Sequence, residues 1–484
     1  MRTTFSGIEI ARRALQAQQL SLDTVGQNIA NANTRGYSRQ VAVHTASQPY
    51  PIPQFTHNPV NGMLGTGVEV AQITRMRDEF IEMRLRQEKH NVNYWQTISD
   101  GLEQVELIFN EPSDNGIHYA LELYLDSLQD LSINPENEAV RSVVLQRAEV
   151  LAEAVQHVRF QLGKLRDNMN GLVSIKVNEI NSYAERIAEL NRQIVKVNAA
   201  GYQPNDLMDQ RDQLLQELSE LTNIEVVADE YGAVSVSISG ATLVQRTEVF
   251  KLKVVSSNEP IIPQYDRVEV VWEGANSKAE FNRGELAGIL KFRDEYIQDY
   301  IYELNKWTAD FMNTVNSIHM QGYDLDGNTG NPFFVTADGS WNVSPDDDPS
   351  LSISVGLNNA REIAASSKLE DGAAVIGNGE IALALAQLRN MPISGSENTI
   401  GQAFNAIIAK IGVNALEGTS MVKNGEALTN HLENMRESVS GVNLDEEMAD
   451  MIRFQHAYAS AARFMTTMDE VLDVIVNRLG LFGR

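Results

Sequence analysis

Apolar positions recur at alternating steps of three and four at both ends of the chain. Ile8, Ala11, Leu15, Gln18, Leu22, Val25 and Ile29 mark a helix of roughly seven turns with a heptad-type stripe. It runs into Asn31-Ala-Asn-Thr34-Arg-Gly36-Tyr37, where Gly36 is the natural stop. At the far end Leu444, Met448, Met451, Gln455, Tyr458, Ala462, Met465, Asp469, Leu472, Val476 and Leu479 keep the same steps. Asn443 followed by Glu446 is a capping-box start, and Gly480 a stop. A second stripe, Leu428, Leu432, Met435 and Val439, precedes it and breaks at Ser440-Gly441.

Between the ends the periodicity changes several times. Residues 41–73 read as extended, with Pro49, Pro51, Pro53 and Pro59 and a strand signal at Val68–Ile73. Helical spacing returns over 77–109 and 115–131, and Asn134-Pro135 predicts the cap and first turn of a long helix. Ile180, Tyr183, Ile187, Leu190, Ile194 and Val197 form a clear stripe, broken at Gly201 and Pro204 and resumed over Leu207–Leu221. From Ile224 to Trp272 β-branched residues alternate, as in Val234-Ser235-Val236-Ser237-Ile238, which predicts a small antiparallel sheet. Helices are expected again over 284–319, 379–389 and 400–416.

The expected fold is α+β, mainly α. It divides into a terminal helical domain (1–90 with 441–484), a helical bundle (91–223 with 284–322 and about 400–440), a small β-rich segment (224–283) and an outer mixed α/β domain (323–399).

A long amphipathic helix at a chain terminus, where chains commonly fray, needs a partner. Charge suggests which one. Residues 1–40 carry five arginines against Glu9 and Asp23, net +3, and residues 444–484 carry four against seven carboxylates, net −3. The whole chain stands at −26, which argues against phosphate-backbone binding and hence a nucleic-acid partner. Assembly of so acidic a chain has to rely on apolar seams and local charge complementarity. Absence of cysteine removes disulfides, thiolate metal sites and thiol nucleophiles. No window reads as a membrane span or as a cleaved signal peptide, so no membrane partner is expected.

Two clusters invite a chemical reading. Asn205-Asp206-Leu207-Met208-Asp209-Gln210-Arg211-Asp212 packs three carboxylates and an arginine into eight residues, but without histidine; local ion pairing, with Arg211 as partner, is the simpler reading. Asp324-Leu325-Asp326-Gly327-Asn328-Thr329-Gly330 brushes against a calcium-loop pattern, but Thr329 replaces its glycine and Val335 its glutamate, so a polar turn is expected. The eight histidines form no metal-binding spacing, and no nucleophile elbow or phosphate loop occurs. No catalytic residue, cofactor or metal is assigned, and no enzyme activity is expected.

The run Asn28-Ile29-Ala30-Asn31-Ala32-Asn33-Thr34 with Gly36-Tyr37 resembles the signature of the flagellar axial family of rod, hook and hook-associated proteins. The run Val442-Asn443-Leu444-Asp445-Glu446-Glu447-Met448, then Gln455, Ala457-Tyr458, Ala462-Arg463 and Glu470, resembles that family's other end. The string Asn205–Leu215 resembles the hook-associated branch rather than rod or hook proteins. The resemblance implies an exported structural protein at the hook–filament junction whose two ends form a coiled coil. It further implies self-association in a ring, contact with hook protein and a second junction protein, and an export chaperone on the C-terminal helix. Its assembly interface would comprise Ile8, Leu15, Leu22, Val25, Ile29, Asn31, Thr34, Gly36 and Tyr37 against Asn443, Leu444, Met448, Met451, Gln455, Tyr458, Met465, Leu472 and Leu479. Another axial component and an acidic surface adhesin are the alternatives.

Overall fold

The computed structural model describes residues 5–49, 65–257, 267–370, 373–375, 377–392 and 398–478. Pro51, Pro53, Pro59, Leu479 and Gly480, singled out above, lie outside the described residues.

In chain order the elements are α1 (Ser6–Ala30), β1 (Gln40–Ala46), β2 (Val68–Arg75), α2 (Glu79–Phe109), α3 (Ile117–Ile133), α4 (Glu138–Ala199) and α5 (Asn205–Leu221). Then come β3 (Ile224–Ala228), β4 (Val234–Ile238), β5 (Ala241–Gln245), β6 (Glu248–Val249), β7 (Leu252–Ser256) and β8 (Val268–Trp272). Next are α6 (Glu285–Lys291), α7 (Ile297–His319), β9 (Phe334–Val335), α8 (Pro349–Ser352), β10 (Ser354–Val355), β11 (Leu369–Glu370) and β12 (Ala373–Ala374). The chain ends in α9 (Glu380–Ala386), α10 (Ile400–Ser440) and α11 (Leu444–Asp473). This is the mainly α, α+β class expected.

The elements fall into two compact units. A terminal unit joins Met1–Lys89, Ile180–Lys251 and Glu426–Arg484, and a central unit joins His90–Glu179 and Leu252–Gly425. This division differs from the four-segment expectation, because α5 and the sheet β3-β4-β5-β6 belong with the chain ends. Helical spacing cannot reveal that, since the stripe of α4 runs on across the boundary. Two helices are longer than expected. α4 is one helix of 62 residues, and α10 runs 41 residues unbroken through both of its stripes. α4 also starts later than Pro135: Asn134–Asn137 is a turn, and the Asn137 side chain receives the Ala139 N–H at 3.0 Å. That satisfies one of the donors a helix start leaves open.

In the terminal unit, β4 alternates as its sequence predicts, with Val234, Val236 and Ile238 buried and the serines between them half-buried. Buried Asn191 of α4 ties the sheet down: it donates to the carbonyls of Val234 (2.8 Å) and Arg246 (2.6 Å) and accepts the Val234 N–H (3.1 Å). Leu214, Leu215, Leu218 and Leu221 of α5 add to this core.

The central unit is built on an aromatic cluster of Tyr124, Phe311, Phe333 and Phe334, with Trp307 stacked on Phe311 at 5.6 Å. Asn316 accepts the N–H groups of Phe333 (2.8 Å) and Phe334 (2.9 Å), fixing the segment after α7. Fully buried Arg159 pairs with Asp348 at 2.6 Å. Asp324 is the hub of a polar turn, accepting the N–H groups of Asp326 and Asn328 at 2.9 and 2.8 Å.

Candidate assembly site

The residues after α1 meet both the far end of the chain and α5. Asn28, on the last turn of α1, is buried. Its amide donates to Glu447 Oε2 and to the Gln40 carbonyl, both at 2.9 Å. Its Oδ1 accepts the Tyr37 hydroxyl at 2.8 Å and the Gln40 N–H at 3.0 Å. Two donors and two acceptors are thus all used, as a buried amide requires. Glu447, 1% exposed, also receives Arg39 Nε at 2.6 Å. Arg39 reaches Glu446 at 3.4 Å and Asp450 at 4.0 Å as well. Among the described residues Arg39 carries the ion pairs between the two ends; Arg12 and Arg13 pair with Glu9 on their own helix. Burial, with Asp206, Asp209 and Glu447 nearby, pushes the Tyr37 hydroxyl far above the usual tyrosine range, so it stays a donor.

From the other side, α5 grips the same loop and the β1–β2 hairpin. The Ser38 N–H donates to Asp209 at 3.1 Å, and the Gln40 side-chain amide donates to Asp206 at 3.1 Å. Asn205 donates to Gln40 Oε1 at 3.2 Å and to the Ile73 carbonyl at 2.9 Å. Arg75 Nη1 lies 2.8 Å from both Asp209 and Asp212, and Arg77 Nη1 lies 2.7 Å from Asp212. Asp206, Asp209 and Asp212 recur every three residues, so they share one face of α5.

Asn205, Asp209 and Arg211 are buried and Asp212 mostly covered, so this part of the string is a clasp rather than a solvated ion-pair run, while Asp206 stays exposed. Arg211 is only loosely paired with Asp212 (3.4 Å) and donates to the Gly232 carbonyl at 2.6 Å instead. Burial alone would raise the Asp212 pKa, but Arg77, Arg211 and Arg75 together outweigh it and hold it below the ordinary range. Asp209 goes the other way: burial lifts it despite Arg75 and Ser38.

α1 and α11 pack along each other. The face buried on α1 is made of small and polar residues: Gly7, Ala11, Ala17, Ser21, Thr24, Val25 and Asn28. Gly7 lies so close to Met468 that an added Cβ would collide with its methyl group. Ser21 Oγ gives its proton to the Ala17 carbonyl (3.0 Å), so it accepts from His44 Nε2 at 2.8 Å. The His44 ring in turn stacks against Phe454 at 6.3 Å.

Of the expected interface, Val25 and Leu472 are buried, and Ile8, Leu15, Leu22, Ile29, Met451 and Met465 are half-buried. Asn31 and Thr34 bond each other in the loop at 3.2 Å. Gly36 takes φ +81° against Gln213, where a side chain would be strained. Asn443 caps α11 through the Asp445 N–H at 3.0 Å, so the box with Glu446 does not form. Leu444 (49% exposed), Met448 (56%) and Tyr458 (39%) point away from the seam, as does Gln455. The covered stripe of α11 is instead Glu447, Asp450, Met451, Phe454, Ala457, Ala461, Met465, Met468 and Leu472, all buried or half-buried. Hydrophobic spacing alone cannot separate two adjacent faces of a helix that both carry apolar residues.

Comparison with known proteins places these segments. The model of the flagellar hook-associated protein FlgK helical domain matches residues 102–334. Those of the flagellar basal body rod protein and of the rod FlgEFG C-terminal region match 8–37 and 436–479. Flagellar hook-associated protein 1 of Bacillus subtilis is 30% identical over 510 aligned residues, covering 100% of both chains. The chain belongs to the flagellar hook-associated protein 1 family. Hook-associated protein 1 of Escherichia coli is 27% identical, covering 97% of this chain and 99% of its own. The solved flagellar hook junction protein FlgK of Burkholderia pseudomallei shares the fold, at TM-score 0.64 and 18% identity, covering 74% of this chain and 100% of its own. As a hook-associated protein 1 family member this chain is an exported structural component of the bacterial flagellum. Among the described residues no helix is long and apolar enough to cross a membrane.

The rod-type matches at 8–37 and 436–479 cover α1 with its loop and α11. Both therefore bracket the clasp through Asn28 and Glu447. Arg39, Arg75, Arg77 and Glu447 were missed as site residues from sequence. Arg75 and Arg77 lie more than a hundred residues from their acids, and the only local signal was the three-residue spacing of the α5 carboxylates.

Proposed function

We propose that this chain joins the hook to the filament by self-associating through its paired ends, in a ring that serves as the base for filament growth. The observation that carries this reading is the convergence of three separated segments, Asn28–Gln40, Asn205–Asp212 and Asn443–Glu447, on one clasp. Such a clasp fixes the direction in which α1 and α11 leave the rest of the terminal unit. The interface assigned above, with Leu15, Leu22, Val25, Met451, Met465 and Leu472 in the seam, is the part of the chain that builds the inner layer. Leu444, Met448 and Tyr458 are its outward apolar positions, available to neighbouring subunits and, before export, to a chaperone on the C-terminal helix. Hook protein on one side and a second junction protein on the other are the remaining partners.

Deletion tests the reading. Cells without the chain should carry bare hooks and release unpolymerised filament protein into the medium. Normal filaments on such cells would refute it.

A further inference from the structure

Methionines are the readily oxidised side chains of this chain. It holds 15 of them and no cysteine, so no thiol competes for an oxidant. α11 carries Met448, Met451, Met465 and Met468. They fall into two classes. Met448 is 56% exposed on the outward side of the helix, where a more polar sulfur would simply stay in water. Met451, Met465 and Met468 are half-buried on the covered stripe, reachable by a small oxidant yet packed into the fold.

Met468 differs from its neighbours in what it meets. Its side chain lies across Gly7, near the start of α1. A Cβ built on Gly7 would stand 3.1 Å from the Met468 sulfur and nearer still to its methyl carbon. Gly7 is buried, and Ala11, one turn further along α1, is fully so. The other glycine of α1, Gly26, meets nothing within 4 Å. The approach of α1 to α11 at Gly7 is thus closed to a single added carbon. An oxygen bonded to sulfur is of similar size, and it makes polar and rigid a contact that was apolar and adaptable.

We propose that Met468 is an oxidation site whose sulfoxide uncouples α1 from α11, the oxidant being a peroxide. With hydrogen peroxide, a sulfur lone pair attacks one peroxide oxygen, the S–O bond forms as the O–O bond breaks, and the second oxygen leaves as water. Sulfur gives up two electrons and the peroxide takes them. A methionine sulfoxide reductase supplied with a dithiol reverses the step, the dithiol becoming a disulfide and the oxygen leaving as water. The consequence for assembly, loss of paired ends in an oxidised chain, rests on the junction reading above; the test below does not.

The full chain is treated with graded hydrogen peroxide. Fragment-resolved mass spectrometry reads the sulfoxide fraction at each methionine, and amide exchange reads the protection of residues 8–25. Those amides should be protected in the untreated chain. Met448 should convert at the lowest dose with protection unchanged. Conversion of Met468 should lower protection at least about tenfold, and the reductase should restore it. At the same dose Met468→Leu, close to volume-conserving, should stay within about threefold of its untreated protection, whereas Met465→Leu should lose protection as wild type does. Unchanged protection with Met468 fully converted would overturn the inference, as would an equal loss in Met468→Leu. Loss that follows the Met448 or Met465 fraction instead would overturn the assignment to Met468. Should Met468→Leu lose protection before any peroxide is added, the wild-type dose series decides: protection falling with the Met468 fraction supports the site, and protection falling with another fraction refutes it. Unprotected α1 amides in the untreated chain would overturn the packing on which the inference stands.

Discussion

Replacing Asn28 with aspartate changes one group, an amide NH2 for an oxygen, at a point where that NH2 donates to Glu447 and to the Gln40 carbonyl at 2.9 Å each. The variant loses a charge-assisted hydrogen bond, about 1.5–3 kcal/mol, and sets two carboxylates against each other. At that separation and an effective dielectric of about 20, their repulsion approaches 6 kcal/mol before any relaxation. Arg39, 2.6 Å from Glu447, offsets part of it, and breaking comparable buried pairs costs about 3–5 kcal/mol. A loss of about 3–5 kcal/mol is therefore expected in the terminal unit. All four tryptophans, at 95, 272, 307 and 341, lie in the central unit, so fluorescence does not report it. Native-state hydrogen exchange of the 28–40 amides does. Adding Glu447→Gln reverses the polarity of the bond and should recover about half of the loss. A loss under about 1 kcal/mol, or no recovery in the double variant, would refute the assigned roles of Asn28 and Glu447.

Further outcomes follow from other contacts. Asp212→Asn should cost about 3 kcal/mol at pH 7 and more than Asp209→Asn, measured by the same exchange. Because the fold lowers the Asp212 pKa, its contribution is present above the unfolded value and disappears as pH falls through the folded one, so the Asp212→Asn deficit should shrink as the pH is taken down through the acid range. Asp209, whose pKa the fold raises, has the opposite sign, and Asp209→Asn should improve relative to wild type as pH rises. Gly7→Val should weaken α1–α11 packing by about 1–3 kcal/mol, with Met468→Ala restoring protection of α1 amides. His319 is buried with Nε2 accepting the Ala364 N–H at 2.8 Å, and burial lowers its pKa to about 4. Its contribution is complete above the unfolded pKa and declines as pH falls towards 4, by about 3 kcal/mol in all. Tryptophan-monitored unfolding of His319→Gln should show a flatter pH dependence than wild type over that range.

Helix existence and the alternation of β4 were legible because each is a local period of apolar residues, and the pairing of the two ends was legible from their terminal position and opposite net charges. The register of α1 on α11 was not. Its tight face holds Gly7, Ala17, Ser21, Thr24 and Asn28, residues chosen for close approach and hydrogen bonding, which hydrophobic spacing passes over. The clasp was only half legible. Asp206, Asp209 and Asp212 stood out as a cluster, but their exposure could not be judged without Arg75 and Arg77, brought in by the hairpin. The start of α4 shows a third limit. Asn-Pro sets up a helix, yet Asn134 and Pro135 form the preceding turn and Asn137 does the capping.

The most direct test of the account is electron microscopy of cells whose sole copy carries Leu472→Asp, a charge placed in the α1–α11 seam where Leu472 is buried. Export and native tryptophan fluorescence of the purified chain, which report the central unit, should be retained. The cells should show bare hooks with filament protein in the medium. Filaments of normal number and length on these cells would contradict the claim that the paired ends build the junction.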